Sequence, residues 1–475
     1  MKIQILTLCS ALVASSVCSG QPYNASAESL FPELKNIYLQ AEQNSYQFYN
    51  IDNNLLNAQI NKKLSRTNNY PYISLNTGAG MSYSSQYDEP SYGVNDLSLG
   101  LGYTLYQWGA KSAQHRMADN QYRIAEIDYS IGLQNTAAQI RTAFFQLIIQ
   151  KIRMQEVELN VEIAQSRLDQ DTLRFEEGKL SKENYERSVI SRRRFMGDLE
   201  NIKRQYKNLL DDFRKLTGIP DYDESRIPTS IPAIPSFDNR VVDAARNIET
   251  SQFADVLRVQ KTDLILANAE ESIVTTQSGN RPRIGLGAGF GLGLEPSLLD
   301  KERILDNGKT ERYKESEHVY RYNVNVSFNW TIADGGYTSG RVDAAYAYRR
   351  KMIEDYRELL ESLRLEKQRG IEDLIYKFER LQFAEDEYRL ALNDYEKSKD
   401  EHQRGRLSIL DFKHAELNRI SQEINISNQR MDYILTFSRF LTWMNQDPIL
   451  EILPPAAEKD TQRLIKLAKE TSLQD

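Results

Sequence analysis

The sequence predicts an α+β membrane protein: four β-strands, long antiparallel coiled-coil helices, and an internal two-fold sequence repeat that uses each element twice. Three observations lead there. The 13 prolines are clustered, the apolar residues change period along the chain, and landmark glycines recur at one fixed offset.

No proline lies between Pro90 and Pro220, nor between Pro296 and Pro448, whereas Pro220, Pro228, Pro232 and Pro235 crowd together. Proline breaks helix interiors, so the empty stretches can hold very long helices and the crowded one reads as a linker over 219–239. Leu133, Ile140, Leu147, Met154, Val161 and Leu168 recur every seven residues. Spacing of that kind predicts left-handed coiled packing. A helix over 110–177 would be about 100 Å long at ~1.5 Å per residue. Gly178-Lys179-Leu180-Ser181 then turns the chain into a return helix over 182–217, with Phe195, Leu199, Ile202, Tyr206, Leu209, Phe213 and Leu216 as its apolar stripe.

The second half copies the first. Gly109 and Gly336 are 227 positions apart, and so are Gly178 and Gly405. The heptad carries over to Leu360, Leu374, Leu381, Tyr388 and Tyr395, with Lys367 the one polar member. A long helix over 337–404, a turn at Gly405-Arg406-Leu407-Ser408 and a return helix over 409–445 follow. One offset on independent landmarks indicates duplication, with repeats over 28–218 and 240–445. The tail, 446–475, matches neither repeat.

Ahead of each long helix the period switches to two. Ile73, Leu75, Ala79 and Met81, then Leu97, Leu99, Leu101, Tyr103 and Leu105, alternate with small or polar residues. Ile284, Leu286, Ala288, Phe290 and Leu292, then Val324, Val326, Phe328, Trp330 and Ile332, do the same. Strand pairs are expected over 71–83 and 96–106, and over 282–293 and 322–333. Their second face is glycine, serine, threonine and asparagine, which fits oil outside and water inside. Tyr83, Tyr106, Trp108, Tyr322 and Trp330 are expected near strand ends, as membrane-interface aromatics. The connecting loops, 84–95 and 295–320, are polar and suit the extracellular side. After the first twenty residues there is no apolar run of the ~18 residues a spanning helix needs. Crossing a membrane therefore requires a closed barrel. Four strands cannot close one where at least ~8 are needed, so the edges must be paired by other copies.

The chain has 475 residues, 27% of them charged, and a net charge of −7 with both signs mixed. It lacks the basic face that nucleic-acid binding requires. Residues 1–20 read as an export signal, with Lys2 ahead of a short apolar run and cleavage after Gly20 or after Ala27. Both cysteines, Cys9 and Cys18, lie in it; Cys18 is a candidate for lipid attachment, although Val17 stands where a small residue is preferred. His115, His318, His402 and His414 show no zinc spacing, and no phosphate loop or nucleophile elbow occurs, so no catalytic residue, metal or cofactor is expected. A periplasmic or secreted coiled-coil tether is the rival reading. It accounts for the heptads but not for the strands.

The doubled order of helix, strand pair, long helix, turn and return helix resembles the TolC-like outer-membrane efflux family. Leu105-Tyr106-Gln107-Trp108-Gly109 and Ile332-Ala333-Asp334-Gly335-Gly336 are similar to that family's apolar-aromatic-Asp-Gly-Gly strand ends. The resemblance implies a homotrimer in the outer membrane of a Gram-negative bacterium, with a transmembrane barrel of twelve strands and a periplasmic tunnel of helices. It also implies an exit duct for a tripartite efflux or type I secretion system, partnered by a periplasmic adaptor and an inner-membrane transporter. The family narrows its periplasmic gate with acids six and nine residues after the second tip glycine. Here Asp411 matches and His414 does not. Three Asp411 carboxylates would attract cations, and His414 would add a titrating group; the competing reading of Asp411 is a helix cap. Gly178, Leu180 and Ser181, with Gly405, Leu407 and Ser408, resemble the family's adaptor-docking tip.

Overall fold

Long proline-free stretches become long helices here because their heptad seams find partners. The chain is seen as a computed structural model that describes residues 23, 25–82, 91–234, 236–247, 253, 255–296, 301–305, 308–313 and 316–459. The export-signal segment with Cys18, and Tyr83, fall outside the described residues. In chain order come α1 (Ala27–Leu30), α2 (Glu33–Asn44), α3 (Tyr46–Thr67), β1 (Tyr72–Ser82), β2 (Ser91–Tyr106), α4 (Ala110–Glu176) and α5 (Lys182–Thr217). Then follow α6 (Asn239–Asn247), α7 (Leu257–Gln277), β3 (Arg283–Pro296), β4 (Lys301–Ile304), β5 (Thr310–Tyr313), β6 (Ser316–Asn329), α8 (Tyr337–Gln403), α9 (Ile409–Trp443) and α10 (Ile449–Ile452). The molecule is mostly helical with a small antiparallel sheet. The α4 and α8 helices have 67 residues each. None of the described helices is long and apolar enough to cross a membrane.

The described residues group into two compact units, one drawn from 23–53, 128–257 and 360–459, the other from 54–127 and 258–359. The first unit has a true core. Leu133, Ile140, Phe144, Leu147, Ile148 and Ile152 of α4 are fully or almost fully buried. Phe31 meets Phe144 and Phe145 edge-on at 5.4 and 5.6 Å, and Phe213 of α5 joins them, stacked edgewise on Tyr222 at 5.1 Å. Each such burial contributes about 1.5–3 kcal/mol. Gly218 ends α5 in the left-handed conformation, φ 69°, and the Ile219 N–H closes back on the Arg214 carbonyl. A side chain at Gly218 would run into the backbone of Asn44 and Ser45.

The second unit carries a four-stranded antiparallel sheet in the order β1-β2-β3-β6 and a separate β4-β5 ribbon. Register puts like beside like. Leu75 faces Leu99, Leu99 faces Phe290, and Phe290 faces Tyr322, while Gly100 faces Gly289 and Gly289 faces Asn323. The helices of this unit follow the same order. Lys62 of α3 pairs with Asp119 of α4, Arg116 of α4 with Glu271 of α7, and Glu270 of α7 with Arg349 of α8. These links are exposed ion pairs worth up to ~1 kcal/mol each. Among the described residues the sheet thus runs from β1 to β6, and the ion pairs run from α3 to α8.

The strands reach further than hydropathy alternation indicates. The β3 strand continues to Pro296, and β6 begins at Ser316, inside the stretch read as a polar loop. It also ends at Asn329, ahead of Trp330 and Ile332.

Gly218→Ala should lower the unfolding midpoint by more than the roughly 1 kcal/mol typical of a backbone-only change, because strain and collision act together. Urea titration followed by far-UV circular dichroism measures this.

Candidate functional site

Three places in the molecule carry features that folding alone does not demand. The first is the sheet surface. Tyr322 is 86% exposed and Val324 79%, and Ile73, Leu75, Val326 and Phe328 are exposed as well. They form one apolar face, since the period-two pattern sends every such residue the same way. The opposite face is bare: a Cβ on Gly287 or Gly289 would collide with the amide oxygen of Asn325 or Asn323 across the strand.

Of the expected interface aromatics, Tyr106 closes β2, and Trp108 and Trp330 lie just past strand ends. Tyr322 does not: because β6 starts at Ser316, it sits mid-strand opposite Phe290. The Trp108 indole donates to the Pro282 carbonyl at 2.7 Å and the Trp330 indole to the Asn280 carbonyl at 3.1 Å. Both rings thus pin the entry to β3. Trp108 also holds φ at +49°, a conformation unusual for a bulky side chain. The indole bond, the Arg281 guanidinium at 5.2 Å and Tyr106 edge-on at 5.1 Å hold it there. Gly335, next to Gly336 in the second strand-end motif, adopts φ +65° without that cost.

The second place is the pair of helix-hairpin tips. Gly178 and Gly405 both take φ +72°. The Lys179 N–H bonds to the Arg174 carbonyl and the Arg406 N–H to the Glu401 carbonyl, at 2.8 and 2.9 Å, so each glycine closes a helix end that a left-handed residue must terminate. Ser181 caps α5 by accepting from the Asn184 N–H, and Ser408 caps α9 by accepting from the Asp411 N–H. Leu180 and Leu407 are half-buried. Asp411 and His414 are exposed. The Ser408 hydroxyl donates to the Asp411 carboxylate at 2.6 Å, so Asp411 takes part in the cap and places its charge at the positive end of α9.

The third place is one that sequence reasoning missed. Arg141, 1% exposed at its side chain, sends Nη1 and Nη2 to Asp447 at 2.9 and 2.5 Å and Nε to Glu28 at 2.7 Å. The Tyr38 hydroxyl donates to the same Glu28 oxygen at 2.8 Å. Burial pushes the Tyr38 phenol well above its usual pKa, and Glu28 adds to that. Burial opposes the Arg141 charge, but Tyr38, Asp447 and Glu28 outweigh it and hold the guanidinium above its ordinary value. The signal available in sequence was a lone arginine beside Ile140 in an apolar seam. Its partners lie 113 and 306 positions away, beyond any spacing rule. Lys459 adds a second tie from the C-terminal segment, to Glu42 at 2.7 Å and Asp52 at 3.3 Å.

The fold, with its long helix hairpins and its small antiparallel sheet, is shared with solved outer-membrane channels. The chain superposes on the Campylobacter jejuni CmeC outer membrane channel with a TM-score of 0.66 at 14% identity, over 91% of this chain and 88% of that one. On the Vibrio cholerae outer membrane protein VceC the TM-score is 0.63 at 15% identity, over 89% and 99%. On the open state of the Neisseria gonorrhoeae MtrE outer membrane channel it is 0.55 at 14% identity, over 85% and 88%. At such identities the likeness is one of fold. Residues 37–218 match the family model described as outer membrane efflux protein. No curated protein matches the chain in sequence.

Arg141→Met should cost about 3–5 kcal/mol, because it strands two buried carboxylates. Arg141→Lys should recover little, since an ammonium cannot fork to both acids. Unfolding midpoints in urea compare the two variants.

Proposed function

We propose that the chain is the outer-membrane exit duct of a tripartite efflux or type I secretion system, acting as a homotrimer without catalysing a reaction. The observation that carries this reading is the apolar sheet face, exposed and open along both edges. A bare oily surface of that kind is unstable in water and stable in lipid once sister strands complete it. The open edges at α3 and α8, and the exposed heptad Tyr376, Phe383 and Leu390 on α8, favour further helix packing from other copies. Three copies would supply twelve strands and a helical tunnel reaching into the periplasm. The doubled landmarks then arise from duplication within each protomer.

In this reading the bare face of glycine, asparagine and serine lines a water-filled bore, and the tryptophans beside β3 mark the membrane boundary. Tyr106 and Tyr322 contact lipid. The tips at Gly178 and Gly405 dock a periplasmic adaptor, with Leu180 and Leu407 as apolar anchors and Ser181 and Ser408 fixing the helix starts. Asp411, with His414 one turn on, lines the periplasmic gate. Solutes enter from an inner-membrane transporter through the adaptor, and that transporter supplies the energy. Residues 1–20 direct export, with Cys18 as the candidate anchor site.

Fractionation of the native host tests the core of the proposal: the chain should appear in outer-membrane fractions as a trimer that dissociates only on heating, and release by osmotic shock as a monomer would end the reading. Leu180→Asp combined with Leu407→Asp should abolish export while trimers persist. Asp411→Ala should lower the cation selectivity of the closed tip in planar bilayers; unchanged conductance and selectivity would remove Asp411 from the gate.

A further inference from the structure

The two hairpin tips share a ring-on-ring stack, and only one of them ties the stack to the turn. Three residues before Gly178 stands Phe175, and seven after it stands Tyr185; the rings stack at 4.9 Å with 15° between planes. Three residues before Gly405 stands His402, and seven after it stands Phe412, stacked at 5.2 Å and 1°. Phe412 also stacks on Tyr395, one heptad back along α8, at 5.7 Å. The second tip therefore clasps one α9 ring between two α8 rings.

His402 does more than stack. Its Nδ1 lies 2.9 Å from the Leu407 carbonyl oxygen. A carbonyl only accepts, so Nδ1 carries the proton and donates. The His402 carbonyl meanwhile accepts from the Gly405 N–H at 2.9 Å. One residue in the last turn of α8 thus holds both the glycine of the turn and the leucine that precedes the Ser408 cap. Phe175, at the matching position of the first tip, has the ring without a donor.

We propose that His402 is a positioning residue that presets the second tip, fixing Leu407 before any partner arrives, while the first tip stays adaptable. The inference rests on the reading of the tips as docking elements and makes the two docking elements unequal. A contact surface fixed in advance loses less entropy when a partner binds. The second tip then supplies the firm anchor for an apolar contact, and the first adjusts to it.

Amide hydrogen exchange in the full-length purified protein reads the preset state directly. His402→Phe copies the first tip, keeps the stack and removes the donor. Exchange at Gly405 and Arg406 should quicken roughly five- to tenfold, the worth of one ordinary hydrogen bond. His402→Asn, which restores a donor near the Nδ1 position without the ring, should return most of the protection. Phe175→His should slow exchange at Gly178 and Lys179. If His402→Phe leaves exchange at Gly405 and Arg406 unchanged, or if His402→Asn behaves like His402→Phe, the proposal is overturned. The measurement does not depend on transport: loss of the duct reading by fractionation would leave the exchange result standing, and failure of the exchange result would leave the duct reading intact.

Discussion

An unsatisfied sheet edge is the constraint on which the rest of this molecule depends. Each of β1 and β6 has a strand on one side alone among the described residues, so its outer edge presents a row of backbone donors and acceptors. Backbone groups in an apolar setting must be bonded, and an open sheet in lipid has no water to supply the bond. The oily face adds to the demand, since Val324 and Tyr322 gain nothing from the protomer's own core. The helices inherit the strand order through α3, α4, α7 and α8, so the same incompleteness runs through both layers of the second unit. The first unit has a core of its own, with fully buried phenylalanines and a paired arginine, while Tyr376, Phe383 and Leu390 of α8 stay exposed in it.

The division of labour has an energetic logic. Where the chain must be stable alone, it uses aromatic burial and a desolvated ionic cluster. Between the helices of the second unit it uses partly exposed ion pairs such as Lys62 with Asp119, which contribute little. The capped tips are a third regime. Each turn is drawn from local chemistry, a left-handed glycine and a serine cap, to which the second tip adds the His402 side chain.

Much of the α+β character was legible because it rests on local period. Seven-residue spacing in Leu133 to Leu168 and two-residue alternation in Val324 to Phe328 are properties of neighbours in sequence. What stayed hidden is non-local or breaks the alternation. The β6 strand extends over Ser316 to Arg321, where polar residues mask it; backbone pairing to β3, not hydropathy, makes it a strand. The β4-β5 ribbon, inside the stretch read as a polar loop, has too little apolar pattern to read. Trp108 in a left-handed conformation could be suspected only by setting it against Gly335. For the tips, glycine and serine were readable as turn and cap, whereas the bond from His402 to Leu407 needed coordinates. The C-terminal segment matched no repeat because its work is done by single residues, Asp447 and Lys459, each reaching a distant helix.

The Arg141 cluster has a consequence for how the polypeptide matures. A chain that emerges amino end first delivers Glu28, Tyr38 and Arg141 early and Asp447 almost last, 306 positions after the arginine it serves. Until then the arginine has one acid in place of two, so the ties that hold the buried guanidinium are complete only once nearly all of the chain is present.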